Sequence, residues 1–150
     1  DMSNEQKNGM TDWRNNLNSF FEKPDTEETS RKRPEFDIFI SEVVMPAFED
    51  ILKEMESHGR TVTIRSSGSS AAIIVHKGGE EEMTYRIQGR TFPNGVLPFA
   101  QIRFRERNGL KLLTVENMFR SGSPDYRLSD ITREEIIQNF VENYTKRVQA

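Results

Sequence analysis

Two glycine turns set the limits on what this chain can become. Gly78-Gly79 and Asn108-Gly109 each stand between runs of alternating apolar and polar residues, the strongest short-range pattern for a two-residue hairpin turn. Amphipathic helix patterns precede and follow these runs. The expected fold class is therefore α+β: a five-stranded antiparallel meander packed against a long kinked helix on its N-terminal side and a C-terminal helix, with a short extra aromatic helix near the N-terminus.

The strands are expected at residues 61–66, 71–77, 82–89, 99–107 and 110–116. A turn at Gly78-Gly79 sets Ile74 opposite Met83, Ala72 opposite Tyr85 and His76 opposite Glu81. A turn at Asn108-Gly109 sets Phe104 opposite Leu113, Ile102 opposite Val115 and Glu106 opposite Lys111. One face of the sheet, carrying Ala72, Ile74, Met83, Tyr85, Ile87, Ile102, Phe104, Leu113 and Val115, is expected to meet the core. Ile73, Val75, Leu110 and Leu112 fall toward the other face. The segment from Phe92 to Pro98, with its two prolines, reads as a connecting turn.

Phe36, Phe39, Ile40, Val43, Ala47, Phe48, Ile51, Leu52 and Met55 repeat at helical spacing, so one stripe of a long helix can face the sheet. Pro34 suits its first turn and Gly59 the position just past its end. Pro46 interrupts the run without changing its phase, which predicts a kink. The last helix is announced by Thr132 and Glu135 as a capping box and by Ile131 and Ile136 as a hydrophobic staple. Ile136, Ile137, Phe140, Val141, Tyr144 and Val148 give it an apolar face.

Ahead of this domain, residues 1–34 read as a short amphipathic helix and a polar linker. Trp13, Leu17, Phe20 and Phe21 follow Thr11 at helical spacing, and residues 23–34 are nearly devoid of apolar side chains. Arg31-Lys32-Arg33 follows Glu27 and Glu28, which makes it a solvated mixed-charge stretch. Residues 35–150 form the single α+β domain. Leu, Ile, Val and Phe supply 36 of the 150 residues, above the floor of about 20% below which chains stay unfolded.

Chemistry has few footholds. The chain has no cysteine, hence no disulfide, thiolate nucleophile or cysteine-ligated metal. Its two histidines, His58 and His76, lack metalloprotease spacing, and the phosphate-loop and serine-hydrolase motifs are absent. Ser66 to Ser70 has the composition of a small anion nest but joins two strands, so it reads as a hairpin loop. Glu80-Glu81-Glu82 reads as a solvated strand start. No metal or cofactor is expected, and the chain reads as non-enzymatic.

A net charge of −3 argues against a globally basic nucleic-acid binder. No run approaches the roughly 18 apolar residues that span a bilayer, so a cytoplasmic protein without membrane contact is expected. The least bland feature is a strand face bearing Arg65, Arg86, Arg90, Arg103 and Arg105, suited to an anion or a nucleic acid.

Three functions follow as expectations. The first is a protein-interaction module, an adaptor or chaperone-like subunit that forms homodimers, with Trp13, Leu17, Phe20 and Phe21 as contact residues. The alternative is nucleic-acid binding over the arginine face. The third is a small molecule held between sheet and long helix near Phe48, Tyr85 and Phe104. The order of elements is compatible with profilin-like and secretion-chaperone-like scaffolds, a likeness of architecture that carries no function.

Overall fold

A computed structural model of the protein describes residues 30–93, 95–106, 111–120 and 125–148, with side chains from residue 34 onward. Two compact units divide the chain, Asp1–Pro34 and Glu35–Ala150, and the sheet belongs to the second. The expected helix around Trp13, Leu17, Phe20 and Phe21 lies outside the described residues, as do the Asn108-Gly109 turn and Leu110.

Helix α1 (Ser30–Phe39) passes through a π-helical turn (Ile40–Val44) into α2 (Met45–Ser57). It begins ahead of Pro34, inside the stretch read from sequence as linker. Pro46 explains the wide turn. Proline has no N–H, and its ring presses on the carbonyl one turn back; here the N–H of Met45 reaches back five residues to the Ile40 carbonyl, which opens the backbone as the ring arrives. The interruption expected at Pro46 takes this form. It also keeps the stripe aligned: buried Phe36, Ile40, Val44 and Phe48 recur every fourth residue, a spacing that drifts around an α-helix of about 3.6 residues per turn unless one wide turn absorbs the surplus. At the far end Gly59 adopts φ 84°. The N–H of Gly59 bonds to the Glu56 carbonyl and that of Arg60 to the Met55 carbonyl, a Schellman stop.

The five strands, β1 (Thr61–Ser67), β2 (Ser70–Lys77), β3 (Glu80–Phe92), β4 (Gly95–Arg105) and β5 (Leu112–Met118), form one antiparallel sheet in sequence order. Gly78 and Gly79 both have positive φ, 59° and 85°, the requirement of a type I′ hairpin. His76 faces Glu81 as expected, and Ile102 faces Val115 and Phe104 faces Leu113. Residues 92–98 differ from expectation: Phe92 already pairs with Gly95, so β3 and β4 extend into the predicted turn. Pro98 is tolerated inside β4 because β5 reaches only as far as Phe99, so no ladder bond on that side is lost.

A β-bulge corrects the β2 register. Beyond His76–Glu81 the pairing slips by one residue, and Val75 faces Met83, Ile74 faces Thr84 and Ile73 faces Tyr85. The core residues of β2 are therefore Ala71, Ile73 and Val75, all fully buried, in place of Ala72 and Ile74. Glu82 is the extra residue, and a bulge turns it to the same side as Met83.

Both helical layers cover the inner face, where Val62, Ala71, Ile73, Val75, Met83, Tyr85, Ile87, Ala100 and Ile102 join Phe48, Ile51, Ile136 and Phe140 in one core. Phe36 packs over Gly89, where an added Cβ would lie 2.7 Å from a Val96 methyl and 3.3 Å from the Phe36 ring. Helix α3 (Arg133–Arg147) follows a short 3₁₀ turn (Leu128–Asp130). Thr132 accepts the Glu135 N–H at 3.1 Å, but the Glu135 carboxylate is held by Arg120 at 3.0 Å through two nitrogens, so only half of the expected capping box forms. Ile131 and Ile136 are buried as a staple requires. Val141 is exposed, and its expected place on the inner face goes to Asn143. Leu113, on the inner side by register, is also exposed.

Candidate interaction surfaces

The outer face of the sheet is covered by none of the described helices. Cross-strand register arranges it in rows. Arg65, Ala72, Arg86, Gln101 and Glu116 form one row, and Thr63, Ile74, Thr84, Arg103 and Thr114 the next. Among the described residues neither Arg65 nor Arg86 has a carboxylate partner. Arg103 is spent in part: its Nε and one Nη donate to both oxygens of Glu81 at 3.1 and 3.0 Å, and Thr84 Oγ1 donates to the same carboxylate at 2.7 Å.

The five arginines singled out from sequence therefore do not act alike. Thr84, Arg86, Gln101, Arg103 and Thr114 line one shallow recess of about 160 Å³. Arg90 instead donates to Glu116 at 2.9 Å and lies 4.1 Å over the Phe99 ring. Arg105 lines a different recess of about 210 Å³ at the sheet's end, with Lys77 and Glu80, Glu81, Glu82 and Glu106. No three acidic or imidazole groups converge on a metal-sized site among the described residues.

The inner face carries polar joints that sequence reading missed. Glu82, turned inward by the bulge, accepts from Tyr144 Oη at 2.6 Å and from Arg60 Nε at 3.3 Å, and Arg60 Nε also donates to Tyr144 Oη at 3.0 Å. Arg60 and Glu82 are mostly buried, with 19% and 11% of their side chains exposed. Burial first, and the Glu82 hydrogen bond second, push the Tyr144 phenol up to about 12. Tyr85 is fully buried and donates to Asn139 Oδ1 at 2.6 Å, while desolvation raises its pKa well above the usual tyrosine value. Asn143 continues the chain, donating to Asn139 and accepting from Arg147 Nε at 2.9 Å. The visible signal was the i, i+4 spacing of Asn139, Asn143 and Arg147 along the inner side of α3.

The space suggested for a small molecule is filled. Phe48 meets the edge of Tyr85 at 6.1 Å, and Phe140 meets Tyr85 from its own side at 5.4 Å. Phe48 and Tyr85 retain no exposed surface.

The remaining feature is a strand edge. β5 ends the sheet, and Leu112 and Leu113 are 45% and 39% exposed. These neighbours point to opposite faces. No helix among the described residues is long and apolar enough to cross a membrane. No protein-family model matches the chain, and no match is found among curated proteins or solved structures.

Proposed function

We propose that the chain is a non-enzymatic protein-interaction module, an adaptor or chaperone-like subunit, that forms a homodimer through β5. The observation that carries this reading is the outer edge of β5, which none of the described strands pairs with. Proteins blunt an edge strand with lysine, proline, bulges or a short length, because its free N–H and C=O groups recruit another strand. β5 runs seven residues, LLTVENM, with neither lysine nor proline. The opposite edge, β1, likewise lacks lysine and proline, but β5 differs in exposing two adjacent leucines.

The edge is also self-complementary. Antiparallel pairing of two copies about Val115 brings all seven residues into register. Leu112 then meets Met118 of the second copy on the outer side and covers it, Thr114 meets Glu116, and no two carboxylates are opposed. Nucleic-acid binding has less support. Arg90 and Arg103 already hold carboxylates, and Phe99, which lies on that face, is buried and offers no ring for a base to stack on.

Light scattering on the protein at tens of micromolar tests the proposal. The expected mass is about twice the 17.4 kDa of one chain, falling to that of a monomer when Leu112→Lys and Leu113→Lys are combined. Both positions are exposed, so the monomer keeps its circular dichroism spectrum. A wild-type monomer, or a variant that remains dimeric, refutes the β5 contact.

A further inference from the structure

We infer that the recess around Arg86 on the outer face binds a carboxylate presented by an acidic segment of a protein partner. The recess opens on the sheet face, but its Thr114 belongs to β5 and would meet Glu116 of a second copy in the proposed dimer, so the oligomeric state is followed alongside binding. The chemistry of the lining carries it. Thr84, Arg86, Gln101, Arg103 and Thr114 include two cations, one amide and two hydroxyls, and no carboxylate.

The acceptors at this place are already used. Glu81 takes Arg103 through two nitrogens and Thr84 through its hydroxyl, which leaves one Nη of Arg103 without a described partner. Gln88 Nε2 donates to Gln101 Oε1 at 3.4 Å, which turns the Gln101 amide so that its own N–H₂ is available. Arg86 is half-buried on the central strand, with all of its donors unspent among the described residues. A planar oxyanion meets that fork with two parallel hydrogen bonds. Arg65 stands in the same row two strands away, about 10 Å by strand spacing, within reach of a second carboxylate on the same segment.

Charge decides between sources of the oxyanion. A polyphosphate chain needs many neutralising cations along its path, whereas Arg65 and Arg86 are the cations of these two rows without carboxylate partners among the described residues, on a protein of net charge −3. A segment with two or three acidic side chains matches that number.

Fluorescence anisotropy at low salt, with dye-labelled octaglutamate as the probe and oligothymidylate carrying the same dye beside it, tests the site. Octaglutamate is expected to bind more tightly than oligothymidylate. Arg86→Gln should weaken it at least fivefold, and Thr114→Val, which removes a donor and no charge, about two- to fivefold. Lys53→Gln, which removes the same charge from the exposed side of α2, should leave it unchanged. Light scattering on each variant keeps this result separate from the oligomeric state. Absence of octaglutamate binding, equal loss in Lys53→Gln and Arg86→Gln, or tighter binding of oligothymidylate overturns the assignment.

Discussion

Gly89 shows how a single absent side chain holds two layers together. The Phe36 ring lies 3.3 Å from where a Cβ would be, and the nearest Val96 methyl is closer still, at 2.7 Å. Valine cannot rotate away without leaving its preferred rotamer, so Gly89→Ala should cost about 1–3 kcal/mol through overpacking, read as a lower denaturation midpoint. Tyr144 is the second such residue. Its 2.6 Å bond to Glu82 is charge-assisted, and Tyr144→Phe should cost about 1.5–3 kcal/mol. The tyrosines also set the alkaline limit. Tyr85, Tyr126 and Tyr144 are the three tyrosines of the chain, and all are raised, Tyr144 to about 12. A raised acid binds its proton more tightly in the folded state, so the stability it contributes is complete below the unfolded value of about 10 and is lost as pH climbs above it. Phenolate absorbance should therefore rise late and together with unfolding. A titration centred near the ordinary tyrosine value in a still-folded protein would contradict the burial of these rings.

At the scale of elements, local chemistry and tertiary context part company. The Gly78-Gly79 hairpin was legible because glycine accepts positive φ at both positions without strain, and an alanine at either should cost about 1–2 kcal/mol, measurable by chemical denaturation of Gly78→Ala and Gly79→Ala. The long helix stop at Gly59 and the cap at Thr132 were legible for the same local reasons. The bulge was not. Ile73, Ile74 and Val75 are consecutive and all apolar, so alternation could not say which belong inside, and a single extra residue at Glu82 reverses the answer. That reversal also hid the Glu82, Arg60 and Tyr144 cluster, because the unslipped register sends Glu82 to water. Pro93 and Pro98 read as turn residues, yet the second sits in a strand at the point where its neighbour has run out. Leu113 and Val141 were assigned to the core by periodicity, which fixes a side but not whether anything lies over it. On the outer face the sequence placed Arg86 and Arg103 together correctly; it could not show that Arg90 and Arg105 are drawn to Glu116 and to the sheet's end.

At the scale of the whole molecule, each strand pairs with its neighbour in sequence, while α3 is tied to the sheet by bonds between distant residues. Tyr85 and Asn139 are 54 positions apart, and Arg60 and Tyr144 are 84 apart. Closing such long loops costs more chain entropy than closing a hairpin, so the meander should assemble first and the last helix should dock afterwards. Tyr144→Phe is then expected to speed unfolding with little change in the refolding rate, a pattern that a stopped-flow chevron resolves. Slower refolding with an unchanged unfolding rate would place docking before the rate-limiting barrier. The inward turn of Glu82 thus acts as a kinetic clasp: it sets how long the native protein lasts once formed more than how quickly it is reached, and a variant lacking it would leave the folded state sooner under any agent that captures the opened chain.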